Sequence, residues 1–163
     1  MIESDNSSSY KSRILAVKRE AAEYLLMYHT NNRELAKILG DVMYSANSGD
    51  NWRRSGGGHS DPTAARAIKG ISSGKVKDLK RGIAVVDKTI AELRNSQLLD
   101  SYRRLQLIKL YYLGTCQTLQ EAYMRLGLSR ATGERCNDRL LLQVARIAGI
   151  DTGTSPKMPS DKK

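Results

Sequence analysis

The stretch from Leu98 to Ile150 holds the densest local punctuation in the chain, and it leaves room for little but three short helices in succession. Leu105, Ile108, Tyr112 and Leu113 recur at helical spacing, so the first segment carries one apolar face. Gly114 follows, and glycine readily takes the left-handed conformation that ends such a helix. Thr118-Leu119-Gln120-Glu121 then has the spacing of a capping box, in which the Thr hydroxyl and the Glu carboxylate each satisfy a free backbone N–H. Gly127 closes that second helix early, and Ser129 caps a third. Along the third, Leu128, Cys136, Leu140, Val144 and Ile147 mark a buried stripe, while Arg130, Ala131, Glu134, Arg135 and Asp138 fall off it near the helix N-terminus.

Helix, short Gly-containing turn and an Arg-loaded second helix make the helix-turn-helix pattern, whose second helix presents its first turns to base edges. The expected DNA-binding residues are Thr118, Ser129, Arg130, Ala131, Thr132, Glu134, Arg135, Asp138 and Arg139. Arg130 and Arg135 suit bidentate contact with guanine, and Arg139, a turn later, suits a phosphate. The plain alternative is a small basic helical domain. The clustering of charge off the apolar stripe and at one helix end favours the DNA-binding pattern.

Composition agrees with an all-α chain that meets an anionic partner. The 163 residues carry a net charge of +10, and the charge is unevenly placed. Residues 1–45 hold six basic and six acidic side chains, whereas residues 61–97 and 98–150 each contribute +4. A basic body with a neutral arm points to nucleic acid for the body and a protein partner for the arm. Phe is absent and Tyr supplies eight of the nine aromatics, so the core must be built from Leu, Ile, Val and Ala. Cys116 and Cys136 are too few and too far apart for a zinc site or a disulfide framework, and they suit a reduced cytoplasm. No apolar run approaches the ~20 residues of a membrane span, and Met1 to Ser9 is polar and lacks the apolar run of a signal peptide.

The N-terminal half reads as long helices. Tyr10, Ile14, Val17, Ala21, Tyr24, Tyr28, Asn31, Leu35, Ile38 and Val42 follow alternating four- and three-residue steps, a heptad seam with one polar member. It predicts pairing within the chain or in a homo-oligomer. The cluster Thr30-Asn31-Asn32 leaves open a break into two helices. Residues 46–60 are Gly- and Ser-rich and read as a loop, in which Trp52, followed by Arg53-Arg54, suits packing over a core edge, with contact to DNA or a partner as the alternative. Asp61-Pro62 is a helix start, and an apolar pattern runs from Ile68 through Val76, Leu79, Ile83, Val86, Ile90 and Leu93, with Ser72-Ser73-Gly74 as an interruption. Three parts result: a helical assembly region over 1–97, a helix-turn-helix domain over 98–150, and a disordered tail over 151–163.

Catalytic chemistry is hard to assemble from these residues. His29 and His59 sit in no nucleophile or metal-ligand pattern. Gly70-Ile71-Ser72-Ser73-Gly74-Lys75 has three residues between its glycines where a phosphate loop has four, and Val76 stands where Ser or Thr is required. The expectation is a non-enzyme without catalytic residues, metal or cofactor.

Two segments carry a family resemblance. Tyr102-Arg103-Arg104 with Ile108 and Tyr111-Tyr112, the helix start Thr118-Leu119-Gln120-Glu121-Ala122, and Leu128-Ser129-Arg130-Ala131-Thr132 resemble region four of bacterial sigma factors. They resemble more closely the RinA/ArpU-like phage transcriptional regulators, as does the Gly-rich Asp-Pro-Thr segment from Ser55 to Ala64. The resemblance implies activation of late or packaging genes, with double-stranded DNA and bacterial RNA polymerase as partners. An alternative of a different class is the DNA-recognition small subunit of a phage packaging terminase. Two positions depart from the usual helix-turn-helix pattern. Tyr123 stands where a small residue is expected and Gly133 where a branched apolar one is, so the two are expected to exchange volume where the helices cross.

Overall fold

The computed structural model describes residues 3–47 and 74–151, and among these the chain is all α-helical, with no strand. The described residues form six α-helices: α1 (Glu3–Leu26), α2 (Tyr28–Asn47), α3 (Gly74–Asn95), α4 (Leu99–Leu107), α5 (Leu119–Arg125) and α6 (Arg130–Ala148). A π-helical turn, Ile108–Tyr112, extends α4. Trp52, His59, the Gly-rich loop, the Asp61-Pro62 helix start, the start of the phosphate-loop-like stretch and the tail beyond Asp151 lie outside the described residues.

The long N-terminal seam is broken at Met27, a turn residue, four residues before the nearest Asn, Asn31. The Asn cluster does not cap the second helix. Asn31 N–H donates to Met27 O at 2.8 Å and Asn32 Nδ2 to Tyr28 O at 2.9 Å, so both asparagines lie inside the first turns of α2. The chain forms two compact units. One comprises residues 1–26 with 85–163, the other residues 27–84. These limits differ from the boundary expected at 97/98. The reason is that the apolar side of α1 packs along α6, far away in sequence, and the second half of α3 joins the same core.

In the larger unit α6 is the central element. α1 contributes Val17, Ala21 and Leu25, α3 contributes Val86, Thr89 and Leu93, and α4 with its π turn contributes Leu105, Leu107 and Ile108, all buried. Leu25, Leu93, Leu107, Ile108 and Leu140 are the largest fully buried side chains there, each worth roughly 1.5–3 kcal/mol of transfer free energy. On α6 the buried set is wider than the expected stripe. Gly133, Asn137, Leu141, Ala145 and Ala148 join Cys136, Leu140 and Val144, while Leu128 and Ile147 are only half-buried. A helix with α1 on one side and α4 on another buries more than one stripe.

The π turn is the part of this unit with no counterpart in the sequence pattern. Leu113 N–H donates to Ile108 O at 2.9 Å, and Thr115 and Cys116 N–H both turn back to Leu110 O, at 3.0 and 2.6 Å. Gly114 between them has φ 104, a conformation that a side chain would strain. Tyr112 is thereby held inward, and its hydroxyl donates to Asn137 Oδ1 at 2.7 Å. Burial pushes the Tyr112 hydroxyl well above its ordinary value, so it stays a neutral donor.

The smaller unit holds α2 and the start of α3. Val76 and Leu79 are buried, and Lys75 pairs with Glu34. Gly82 is close to Asn31: a Cβ there would stand 2.9 Å from Asn31 Nδ2. No helix among the described residues is long and apolar enough to cross a membrane.

Candidate nucleic-acid interface

Local chemistry fixes both ends of α5. Thr118 is extended, at φ −130 and ψ 152, and its Oγ1 accepts Glu121 N–H at 3.2 Å. Glu121 reaches back as a capping box requires, but one residue further. Its Oε2 accepts Gln117 N–H at 3.0 Å, and its Oε1 takes Arg125 at 2.8 Å. Gly127, at φ 65, ends the helix, while Leu128 N–H returns to Tyr123 O at 2.9 Å. Ser129 then caps α6, its Oγ accepting Thr132 N–H at 3.3 Å.

Tyr123 of α5 and Gly133 of α6 meet where the two helices pack. A Cβ on Gly133 would lie 2.3 Å from Tyr123 Cγ, far inside any real contact, so the ring occupies the space that a side chain at 133 would fill. Tyr123 is buried, and its hydroxyl is pushed up to about 12, chiefly by desolvation and then by the nearby Glu134. The expected exchange of volume is present.

The residues expected to touch DNA divide into three groups. Thr118 and Ser129 are exposed but spend their side chains as caps. Arg130, Ala131, Thr132, Glu134 and Arg135 lie exposed on the first two turns of α6. Asp138 and Arg139 lie a turn further, where neighbouring helices engage them. Asp138 Oδ1 accepts from Lys18 Nζ of α1 at 2.8 Å, and Arg139 Nη1 donates to Asp100 Oδ2 of α4 at 3.3 Å. Asp100 is shared with Arg104, whose Nη1 also holds Gln143 at 2.7 Å.

Electrostatically the exposed start of α6 is built largely of ion pairs. Arg130 Nε donates to Glu134 Oε1 at 2.8 Å, which raises the affinity of the guanidinium for its proton. Among the described residues Arg135 has no ion-pair partner, so its charge is available outright. Exposed pairs of this kind exchange partners at little cost, which leaves Arg130 and Arg139 able to turn to a stronger anion. Lys18, together with Arg19 beside it, was not expected at this site. Nothing local in the sequence connects Lys18 to Asp138, and only the packing of α1 on α6 does so.

Other chemistry is sparse in this region. No group of three or more His, Cys, Asp or Glu side chains is placed to hold a metal among the described residues. Cys116 and Cys136 are buried free thiols, and burial pushes the Cys136 thiol up, which keeps it protonated and unreactive. No family model matches this chain, and no curated protein or solved structure is significantly similar to it.

Proposed function

We propose that α5 and α6 form a helix-turn-helix that binds double-stranded DNA with sequence preference. In this reading the chain is a transcriptional regulator of the phage type, activating late or packaging genes through the host RNA polymerase. The observation that carries the proposal is the exposed start of α6. Arg130, Ala131, Glu134 and Arg135 project from two turns that α5 braces from behind through Tyr123 on Gly133. A helix held rigidly by a short turn, with its first turns bare and cationic, fits the major groove. The net charge of +10 supplies the attraction to phosphate, and the resemblance to the RinA/ArpU-like regulators supports the biological role. Assembly of copies on DNA belongs to the same proposal. Leu35, Ile38 and Val42 on α2, each half-buried, are the part of the seam that remains for it.

Genome-wide capture of DNA by this protein tests the role: recovery of promoters supports regulation, and recovery of a packaging start site would replace it with the terminase alternative. On the captured site, Arg135→Ala is expected to weaken binding roughly five- to a hundredfold, with a much smaller loss on random duplex. Arg130→Ala should lose less, because Arg130 must first leave Glu134. Arg139→Ala should weaken both duplexes alike. Equal losses for all three on both duplexes would move the reading face elsewhere.

A further inference from the structure

We infer that the edge of α1 beside α6 is a second DNA-contacting surface, on which Lys11, Lys18 and Arg19 meet the phosphates flanking the groove that α6 enters. The inference rests on the DNA-binding reading above and adds an element to it that the neutral charge of residues 1–45 argued against.

The geometry starts on α6. Arg130, Glu134, Asp138, Leu141 and Ala145 succeed one another at four- and three-residue steps and so lie along one side of the helix. That side changes character partway along. Arg130 and Glu134 are exposed, whereas Leu141 is 7% exposed and Ala145 wholly buried. The covering element is α1: Leu141 lines a groove of about 450 Å³ together with Leu15, Lys18, Arg19 and Ala22. The changeover falls at Asp138, and there Lys18 Nζ lies 2.8 Å from the carboxylate.

Dimensions then decide what α1 meets. The major groove is about 12 Å wide, close to the ~10–12 Å diameter of one helix with its side chains. Packed helices lie about 8–10 Å apart, so α6 and α1 cannot both enter. A duplex that receives the first two turns of α6 therefore brings its groove wall, a strand of phosphates, against the edge of α1 nearest Asp138.

That edge has the right charge. Lys11 and Lys18 are two helical turns apart on the same side, and Arg19 follows at the groove. By the same count Glu20 lies on the far side of α1 and Glu23 beyond Arg19. Lys11 and Arg19 are exposed, and the Lys18 charge is held at the junction by Asp138. The zero net charge of residues 1–45 thus conceals a local cationic edge, offset by acidic residues placed elsewhere on α1 and α2.

The test uses the full chain and two duplexes, the captured site and a random sequence, with affinity measured against salt concentration. Lys11→Gln and Arg19→Gln should each make the log–log slope shallower by about 0.9, and should weaken both duplexes alike. Lys18→Gln combined with Asp138→Asn removes the pair without stranding a charge and should do the same. Arg13→Gln, on the far side of α1, should match the wild type. Unchanged slopes for all three edge variants, with Arg135→Ala still weakening the captured site, would overturn the inference and leave the DNA reading standing. Unchanged slopes with lost promoter activity would also overturn it and give the edge to an acidic protein partner. A wild-type chain whose duplex binding showed no dependence on salt would remove both.

Discussion

The α5–α6 pair and the α1–α2 seam are both regular helical patterns, yet they behave differently in the fold. In α5–α6 nearly every feature is held by a neighbour in the chain: Thr118 by Glu121, Glu121 by Gln117, Ser129 by Thr132, and Gly127 by its own backbone. The seam from Tyr10 to Val42 looks more continuous, but it is cut at Met27 and its two halves belong to different compact units. Val17 and Ala21 are buried in the core around α6, while Tyr10 is 49% exposed. An apolar stripe says that a helix will be covered and leaves the covering element unspecified. A cap or a positive-φ glycine names its partner, because that partner is a few residues away.

The strongest way to break this contrast is to remove α1. Val17, Ala21 and Leu25 leave the core with it, and Leu141 loses its α1 neighbours. Deletion of residues 1–26 is expected to abolish the sharp denaturant transition of the larger unit and to reduce helical circular dichroism beyond the loss of α1 itself. A truncated chain that still unfolded cooperatively at the same midpoint would mean that residues 1–26 are a separable arm, as the charge pattern by itself suggests.

A smaller effect is expected where α5 meets α6. Gly133→Val drives a branched side chain into the Tyr123 ring and should cost about 1–3 kcal/mol. Tyr123→Ala empties the same space and should cost about 3–5 kcal/mol, by the measure of other aromatic truncations. Joined in one chain the two should cost at least ~1 kcal/mol less than their sum, because each relieves the other's defect. Urea denaturation of the four chains measures this coupling, and simple additivity would show that the helices do not meet at this pair.

The smallest effects sharpen the comparison from the local side. Thr118→Ala and Ser129→Ala should each cost about 1 kcal/mol, since each cap satisfies an N–H that α5 or α6 otherwise leaves bare. Asn32→Ala on α2 removes a side-chain bond to Tyr28 O inside a helix and should stay within ~0.5 kcal/mol. Equal losses at the three positions would mean that the asparagine does more for α2 than its hydrogen bond indicates.

The sequence by itself determined the helical class, the succession of α4, α5 and α6, the caps at Thr118 and Ser129, the turns at Gly114 and Gly127, and the exchange of volume between Tyr123 and Gly133. These follow from interactions spanning a few residues, or, for the last pair, from helices joined by a turn too short to let them separate. Only the tertiary structure decided that α1 belongs with α6, that the seam breaks at Met27, and that α4 ends in a π turn. It also decided the partners of the charged groups: Lys18 for Asp138, and Asp100 for Arg139 across a sequence separation of 39. The physical reason is the same in each case. Apolar burial and ion pairing act between whichever surfaces are brought together, without regard to their order in the chain, whereas a hydrogen-bonded cap can only reach the residues beside it.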